Sequence, residues 1–171
     1  SIANFPTFRC AEQIRNDVAY HNLPVTVVAV GGGLAYGALG YSHHAVQDYA
    51  LMRTMPNMTI VAPGDPMEVS AAMRYLVANP GPSYIRLGKA GETTFHKNLT
   101  ELKPGEWIKV RNGSDKQILL TTGAGLAIAM EWIKKPEYAH RSVYSIPIWS
   151  MEHKINQIEN RPQPHETYQE A

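Results

Sequence analysis

The hydrophobic positions in the first half of the chain form three short, mostly apolar runs, at residues 25–30, 58–62 and 83–87. None of them alternates regularly with polar residues, as a half-exposed strand would. The run at residues 25–30 is continuous and rich in β-branched side chains, which is typical of a parallel strand covered on both faces. We therefore predict three buried strands in this half of the chain.

Apolar residues recur at helical spacing between and before these runs. The spacing predicts helices at residues 9–22, 43–55 and 67–78. Pro24 ends the first helix, because proline cannot continue the hydrogen-bond ladder. Asp65 is the predicted N-cap of the third helix, and Pro66 opens its first turn. Helix and strand alternate three times, which favours right-handed crossovers and a parallel sheet.

The second half of the chain shows a less complete α/β pattern. Residues 88–105 have no sustained period, and we expect a linker there. Strands are predicted at residues 107–110, 117–122 and 142–146, and a helix at residues 124–135. The predicted organisation is a first domain at residues 1–90, a linker at residues 91–105 and part of a second α/β domain at residues 106–171. Residues 160–171 are polar, so we expect a disordered or partner-bound tail.

The composition of the chain excludes several classes of protein. Its 171 residues carry 16 basic and 15 acidic side chains, a net charge of +1, which argues against a nucleic-acid-binding arm or a polybasic membrane anchor. The single cysteine, Cys10, excludes an internal disulfide framework and a thiolate zinc cluster, and we expect it to be buried. No run approaches the ~18 apolar residues of a membrane span. We therefore expect a cytoplasmic protein without nucleic-acid or membrane partners.

Candidate chemistry lies beyond the carboxyl ends of the strands, where open parallel sheets bind their ligands. The glycine run at residues 31–33 fits neither the dinucleotide fingerprint nor the P-loop. It indicates either a phosphate cradle or a close approach of the backbone to a neighbour. His43 and His44 open the second predicted helix, where a histidine suits proton transfer or a structural, capping role. Adjacent helical residues point in different directions, so the pair does not predict a metal site.

Two further features stand out near these strand ends. Arg86 lies inside the third strand, where it either binds an anionic group of a substrate or forms an ion pair with Asp48 or Asp65. The segment F-P-T-F-R at residues 5–9 precedes the first predicted helix. It offers two aromatic faces and a cation to a ligand, although ordinary core packing would also account for the phenylalanines.

Several motifs follow one another in a specific order. They are F-P-T-F-R at residues 5–9, G-Y-S-H-H at residues 40–44, R-T-M-P-N-M at residues 53–58, P-G-D at residues 63–65 and Y-I-R-L-G-K at residues 84–89. With these motifs the chain resembles the pyrimidine-binding domain of the transketolase family of thiamine-diphosphate enzymes. The segment I-L-L-T-T-G-A-G-L at residues 118–126 resembles the start of that family's C-terminal domain.

The resemblance implies α/β domains, the first a three-layer domain around a parallel sheet. It implies a homodimer or a heterotetramer, in which the site lies between this domain and a diphosphate-binding domain or subunit. The implied cofactors are thiamine diphosphate and Mg²⁺, with the metal and the diphosphate bound by that partner. The implied chemistry breaks and forms carbon–carbon bonds, with the cofactor as electron sink.

Residue roles follow from the resemblance by position. His43 matches the histidine that contacts substrate hydroxyl and carbonyl groups and assists proton transfer. His44 takes a position that holds Gln or His in the family, either on the substrate side or as a structural residue. Arg86 matches the strand arginine near the far, often phosphorylated, end of a sugar. The segment that matches the family's stretch stacking on the cofactor's aminopyrimidine contains Phe5, Phe8 and Arg9, and the resemblance does not distinguish the two phenylalanines.

The sequence also departs from the family's pattern. The glutamate that activates the cofactor, in a G-x-x-E-Q context, and the G-D-G…N motif for Mg²⁺ and diphosphate are not found. Either the sequence is one piece of a longer enzyme or a partner supplies these groups. Gly31, Ala38 and Leu39 stand where long transketolases have a histidine and acidic residues, which removes a phosphate contact and a sugar-hydroxyl contact. This small loop resembles that of short, split bacterial transketolase-like proteins.

Three functional hypotheses remain at this point. The first is the C-terminal part or subunit of a transketolase-like transferase that moves a two-carbon ketol unit between sugars or sugar phosphates. The second is another thiamine-diphosphate enzyme subunit, of the 1-deoxyxylulose-5-phosphate synthase type or the 2-oxoacid dehydrogenase β type. The third is a non-catalytic α/β remnant that binds a partner.

Overall fold

Three parallel strands form the first sheet of the molecule, as the apolar runs predict. The structure, a computed structural model, describes residues 1–114 and 117–149. The strands are β1 (Thr26–Val30), β2 (Thr59–Val61) and β3 (Ser83–Leu87). β3 lies in the middle and pairs in parallel with both neighbours, which gives the order β1-β3-β2. The carboxyl ends of the three strands therefore meet at one edge of the sheet.

Helices cover both faces of this sheet. The helical elements are α1 (Asn4–Arg9), α2 (Ala11–Gln13), a π-helix (Ile14–Ala19), a 3₁₀ turn (Gly37–Leu39), α3 (Asp48–Arg53), α4 (Pro66–Ala78) and α5 (Gly125–Trp132). Neighbouring strand residues point to opposite faces. Ile60 and Tyr84 share a core with the π-helix and α3, whereas Val61 and Ile85 share one with α4. The predicted α/β class with three layers is therefore confirmed.

The start of α4 has the capping pattern that the sequence predicts. The Oδ1 atom of Asp65 accepts a hydrogen bond from the backbone nitrogen of Glu68 at 2.8 Å. Pro66 is the first helical residue, where a proline loses no intrahelical hydrogen bond. The two residues together fix the point at which the chain leaves β2 and enters the helix.

The N-terminal helical region differs from the prediction of one helix at residues 9–22. Helix α1 comes first and contains Pro6 in its third position, where the amide would have no intrahelical partner in any case. A bend at Cys10 separates α1 from α2 and the π-helix that follows it. Cys10 itself is exposed, so the prediction that it is buried is wrong. The segment at residues 5–9 is therefore helical and does not merely precede a helix.

The predicted helix at residues 43–55 is too long at its start. Helix α3 begins at Asp48, whereas residues 41–43 form a turn, Ala45 lies in a bridge and residues 46–47 form a bend. The reason is a pairing that is distant in sequence: Ala45 and Gly33 exchange backbone hydrogen bonds of 2.8 and 3.1 Å in an antiparallel bridge. Because this pairing uses the amide and carbonyl of Ala45, His43 and His44 lie in a turn rather than on a helix.

The second sheet contains the three strands predicted for the second half of the chain. They are β4 (Ile108–Arg111), β5 (Ile118–Thr121) and β6 (Ser142–Ser145). β6 lies in the middle, parallel to β5 and antiparallel to β4. Helix α5, predicted at residues 124–135, packs on this sheet through Leu126, Ala129 and Ile133.

Residues 146–149 connect the two sheets. After leaving β6, this segment runs antiparallel beside β2, where Ile148 bridges Val61. The backbone nitrogen of Ala62 donates to Pro147 at 2.7 Å, and that of Trp149 donates to Ile60 at 2.9 Å. The end of the chain that the structure describes therefore extends the first sheet at its β2 edge.

Residues 88–107 contain neither helix nor strand; residues 89–94 are exposed, but the later part of the segment packs against the first sheet. Leu99 and Leu102 are buried in the core that α4 forms with Val61 and Ile85. The domain boundaries proposed from the sequence stay a prediction, and the tail predicted at residues 160–171 lies outside the described residues. In the two ranges that the structure describes, no helix is long and apolar enough to cross a membrane.

Candidate functional site

The glycine run that follows β1 lets the backbone pass close to two side chains. Gly31 and Gly33 have positive φ angles of 73° and 62°. A Cβ atom on Gly31 would collide with the ring of Tyr36, and one on Gly32 would collide with the side chain of Arg86. Of the two interpretations open from the sequence, the structure therefore displays the close approach of the backbone to its neighbours.

Aromatic rings and cations contact one another beside this run and form a row of five residues: Arg9, Phe5, His43, Tyr36 and Lys89. The rings of Phe5 and His43 have centroids 5.5 Å apart, and those of Tyr36 and His43 are 6.1 Å apart. The guanidinium of Arg9 lies 4.5 Å from the centroid of Phe5, and the ammonium of Lys89 lies 4.6 Å from that of Tyr36. The structure thus brings together α1, the loop after β1 and the end of β3 around His43.

The two histidines make different contacts. The Nδ1 atom of His43 lies 3.0 Å from the hydroxyl of Ser42, whose carbonyl oxygen accepts a 2.7 Å hydrogen bond from Asn4. Among the residues that the structure describes, the Nε2 atom of His43 has no hydrogen-bond partner. The Nε2 atom of His44 lies 3.0 Å from the carbonyl oxygen of Gly37. His43 thus keeps one ring nitrogen without a partner among the described residues, while His44 contacts the 3₁₀ turn.

Arg86 is engaged inside the protein. Its Nη1 atom donates to the Oδ1 atom of Asp48 at 2.8 Å and to the carbonyl oxygen of Ala45 at 3.2 Å. Its guanidinium lies 3.7 Å from the ring centroid of Tyr49. The ion pair with Asp48, one of the alternatives open from the sequence, is therefore present. Asp65, the other aspartate considered as a partner for Arg86, binds elsewhere.

Two residues of the row were not singled out from the sequence. Tyr36 lies in the loop after β1, and Lys89 follows the end of β3 by two residues. A signal for Lys89 was available, because it is the first cation beyond the carboxyl end of a central strand. No local signal distinguishes Tyr36 from Tyr41 in the same loop. Phe8, in contrast, is half exposed and lies outside the row.

The larger clefts of the described residues lie away from His43. One, of about 580 Å³, lies between α4 and residues 100–103. Two more, of about 310 and 300 Å³, lie beside α5 and beside Trp149. None of the three is lined by residues of the row. No group of three or more His, Cys, Asp or Glu side chains within residues 1–114 and 117–149 stands close enough together to hold a metal ion. The residues of the row are partly or fully exposed at the surface of this chain.

Comparison with known proteins identifies the family. The family described as "Transketolase, pyrimidine binding domain" matches residues 2–91, just over half of the chain and including every residue of the row. This chain belongs to the transketolase pyrimidine-binding domain family. The family match therefore covers the three strands β1, β2 and β3, from α1 to the residues that follow β3.

Individual relatives of this transketolase-family chain agree with the match. It is 41% identical over 118 residues to a subunit of the apulose-4-phosphate transketolase of Phocaeicola vulgatus, covering 68% of this chain and 38% of that protein. It is 37% identical over 121 residues to the 1-deoxy-D-xylulose-5-phosphate synthase of Syntrophotalea carbinolica, covering 68% of this chain and 19% of that protein. The chain thus spans well under half the length of these relatives.

A solved structure has the same fold as this transketolase-family chain. It is described as a split gene transketolase, inactive beta4 tetramer, and superimposes with a TM-score of 0.72 at 32% identity. The superposition covers 84% of this chain and 46% of that one. The agreement extends beyond residue 91 and therefore includes part of the second sheet.

Proposed function

We propose that this chain is part of a transketolase-type subunit that transfers a two-carbon ketol unit between sugars or sugar phosphates. The family match and the transketolase subunits among its relatives support this proposal. The observation that carries it is the contact of His43 with Phe5 at the carboxyl edge of the first sheet. In this proposal His43 is the proton-transferring group, and it lies beside the aromatic side chain of Phe5 on α1, inside the matched segment.

Thiamine diphosphate is the proposed cofactor. The described residues fit its aromatic part, because Phe5 and the half-exposed Phe8 offer rings one helical turn apart on α1. Arg9, which lies over Phe5, would fix the orientation of that ring. When bound, thiamine diphosphate supplies the carbon nucleophile and the electron sink that C–C bond cleavage beside a carbonyl needs. The Mg²⁺ ion and the diphosphate would be held by a partner domain or subunit.

His43 is the proposed catalytic residue of this chain. Its Nδ1 atom is held by Ser42, which leaves Nε2 to accept or donate a proton at a substrate oxygen. The rings of Tyr36 and Phe5 both contact the imidazole and so limit its rotation. Such preorientation favours catalysis, since a general base acts only within hydrogen-bonding reach of the proton that it abstracts.

The substrate-binding residues are also proposals. Lys89 is the cation at the open end of the row, where it can bind an anionic group of the substrate. Arg86 and His44, predicted on the substrate side from the sequence, are occupied by Asp48 and by Gly37. We therefore propose that they support the site and that Lys89 supplies the charge.

The proposed partner is a diphosphate-binding subunit that covers the surface around His43. Apolar side chains are exposed on the loop that carries His43, at Leu34, Leu39, Tyr41 and Val46. Exposed apolar surface of this extent is typical of a protein–protein interface. A homodimer or a heterotetramer would complete the site, and the inactive beta4 tetramer of the split gene transketolase supports the need for a second subunit. A cytoplasmic location suits such an enzyme and the balanced charge of the chain.

Synthesis of a 1-deoxyketose phosphate is the second candidate function. The similarity to a 1-deoxy-D-xylulose-5-phosphate synthase, at 37% identity, favours it. The proposed residues of this chain, Phe5, His43 and Lys89, would serve either reaction, so the donor substrate has to be tested directly.

The test is reconstitution with a diphosphate-binding subunit in the presence of thiamine diphosphate and Mg²⁺. With a ¹³C-labelled ketose donor and an aldose acceptor, we expect NMR to detect transfer of the labelled two-carbon unit only in the mixture. Each subunit alone is the control. Formation of a 1-deoxyketose phosphate instead would select the second function. Absence of cofactor binding in every mixture, with a full-length partner, would contradict both.

A further inference from the structure

A network of buried polar groups lies next to the row and connects three elements of the fold. Its centre is Asp48, the first residue of α3, whose side chain is completely buried. The Oδ2 atom of Asp48 accepts a 2.6 Å hydrogen bond from the hydroxyl of Tyr84, and Oδ1 accepts the 2.8 Å bond from Arg86. Burial and the adjacent Asp48 carboxylate raise the pKa of Tyr84, so its hydroxyl remains a donor. Both carboxylate oxygens are therefore satisfied from β3.

Arg86 extends this network to the loop that carries His43. The same Nη1 atom that bonds Asp48 also donates to the carbonyl oxygen of Ala45, two residues after His43. Ala45 in turn is paired with Gly33. The guanidinium is enclosed by the ring of Tyr49 and by the backbone of Gly32, which leaves no room for a Cβ atom. The position of the loop is thus coupled to the direction in which Asp48 holds Arg86.

Tyr84 extends the network in the other direction, to the helix that carries Phe5. Tyr84 packs in the same buried core as Ala3, whose carbonyl oxygen accepts a 2.7 Å hydrogen bond from the hydroxyl of Thr7. Thr7 lies in α1 between Phe5 and Phe8 and is completely buried. One buried carboxylate is therefore connected by Tyr84 to the aromatic helix and by Arg86 to the histidine loop.

We propose that Asp48, Tyr84 and Arg86 act as positioning residues that set the contact between the rings of Phe5 and His43. Arg86 then serves the reaction through Asp48 and Ala45 and not by binding the substrate. A buried carboxylate with two donors resists displacement, because a donor or acceptor left unpaired in the core is costly. The proposal rests on the proposed function for its kinetic consequence, but the ring contact itself can be measured without any activity.

The first test measures the ring contact in the chain alone. We expect an NMR cross-relaxation signal between ring protons of Phe5 and His43 in the wild type, because the centroids are 5.5 Å apart. We expect this signal to be lost in Asp48→Asn and weakened in Tyr84→Phe. Tyr84→Phe keeps the ring volume in the core and therefore keeps the test valid if Asp48→Asn does not fold. The matched control is Asp65→Asn, which alters another completely buried aspartate, at the start of α4.

The second test separates the two possible roles of Arg86 in the reconstituted enzyme. With kcat normalised to the folded fraction, positioning predicts that kcat of Arg86→Met falls about 100-fold, with KM for the ketose changed by less than about threefold. Arg86→Lys, which keeps a charged donor, should recover part of kcat. A direct substrate contact predicts the opposite, a KM that rises about tenfold at unchanged kcat.

The outcomes distinguish this proposal from the proposed function. An unchanged Phe5–His43 signal in both Asp48→Asn and Tyr84→Phe would overturn the positioning role, whatever the enzyme does. Loss of the signal in Asp65→Asn as well would also overturn it, because the effect would then be general loss of structure. A wild-type mixture without transferase activity would instead refute the proposed function, and the ring signal would still decide the positioning role.

Discussion

The carboxylate of Asp65 binds both the backbone and the ring of His96. Its Oδ2 atom accepts a hydrogen bond from the backbone nitrogen of His96 at 2.9 Å and lies 3.0 Å from the Nδ1 atom of the imidazole. The backbone nitrogen of Phe95 donates to the same oxygen at 2.8 Å, while Oδ1 caps α4 through Glu68. One buried carboxylate therefore joins the start of α4 to the segment that follows β3.

These donors make the stability of the protein depend on pH in the acid range. Burial alone would raise the pKa of Asp65, but the backbone donors of His96, Glu68 and Phe95 outweigh it and lower the pKa below the ordinary value of 3.8. Because the folded pKa is lowered, the contribution of Asp65 to stability is complete above pH 3.8. It is lost as the pH falls through the folded pKa.

The variant Asp65→Asn should show this contribution directly. Its amide group would face three donors, so we expect the free energy of unfolding at pH 7 to fall by about 3 kcal/mol. The difference from the wild type should shrink as the pH falls below about 4, because the wild type loses the carboxylate there. Urea unfolding at a series of pH values measures both. The exposed Asp17→Asn is the control, and a difference that is constant with pH would contradict the prediction.

His43 is expected to matter for turnover and not for stability. In the reconstituted enzyme, His43→Ala should lower kcat at least about 100-fold, the usual size of a general acid–base contribution. The unfolding free energy should change by less than about 1 kcal/mol, since the contact with Ser42 is exposed. His21→Ala, at an exposed histidine, is the matched control. Equal losses of kcat and stability would return His43 to a structural role.

Lys89 is expected to determine the preference for anionic substrates. Replacement by Met should raise KM for a phosphorylated sugar about tenfold, because one charge-assisted contact is lost. KM for the corresponding neutral sugar should not change. Steady-state kinetics with the two sugars measures the ratio, and Lys97→Met removes another lysine of the segment after β3 as a control. The same loss of affinity for both sugars would exclude a charge contact.

Gly32 is expected to tolerate no side chain, because of Arg86. A Cβ atom at this position collides with the aliphatic part and Nε of the arginine, so Gly32→Ala should lower the unfolding free energy by about 1–3 kcal/mol. Gly81→Ala is the matched control, since a Cβ atom there meets nothing within 4 Å and the φ angle is not positive. We expect that variant to be neutral or slightly more stable. Equal urea midpoints for the two variants would refute the collision.

The parts of the fold that follow from local rules were predictable from the sequence. The run at residues 25–30 could be recognised as a strand from its continuous β-branched side chains, and the structure has β1 there. Its expected burial on both faces is wrong, because β1 lies at one edge of the three strands and Val28 is exposed. The start of α4 was predictable because Asp65 and Pro66 satisfy the requirements of a helix N-terminus within three residues. These signals need no information about the rest of the chain.

The parts that depend on distant pairing were not predictable in this way. The start of α3 is set by the pairing of Ala45 with Gly33, which no helical period encodes. The antiparallel direction of β4 is equally a property of its partner β6 and not of its own sequence. The site followed the same rule: His43 could be proposed from its motif, whereas Tyr36 and Lys89 come together across more than fifty residues.

The segment that joins the two sheets has a consequence for how the chain responds to cutting. Residues 147–149 are bonded to Ile60, Ala62 and Gly105, so the second half of the sequence supplies backbone partners to the first. Leu99 and Leu102 are buried in the same core as Ile148. A protease that cleaves the exposed stretch at residues 89–94 would therefore yield two fragments that co-purify as one particle, and heat would melt them in a single step.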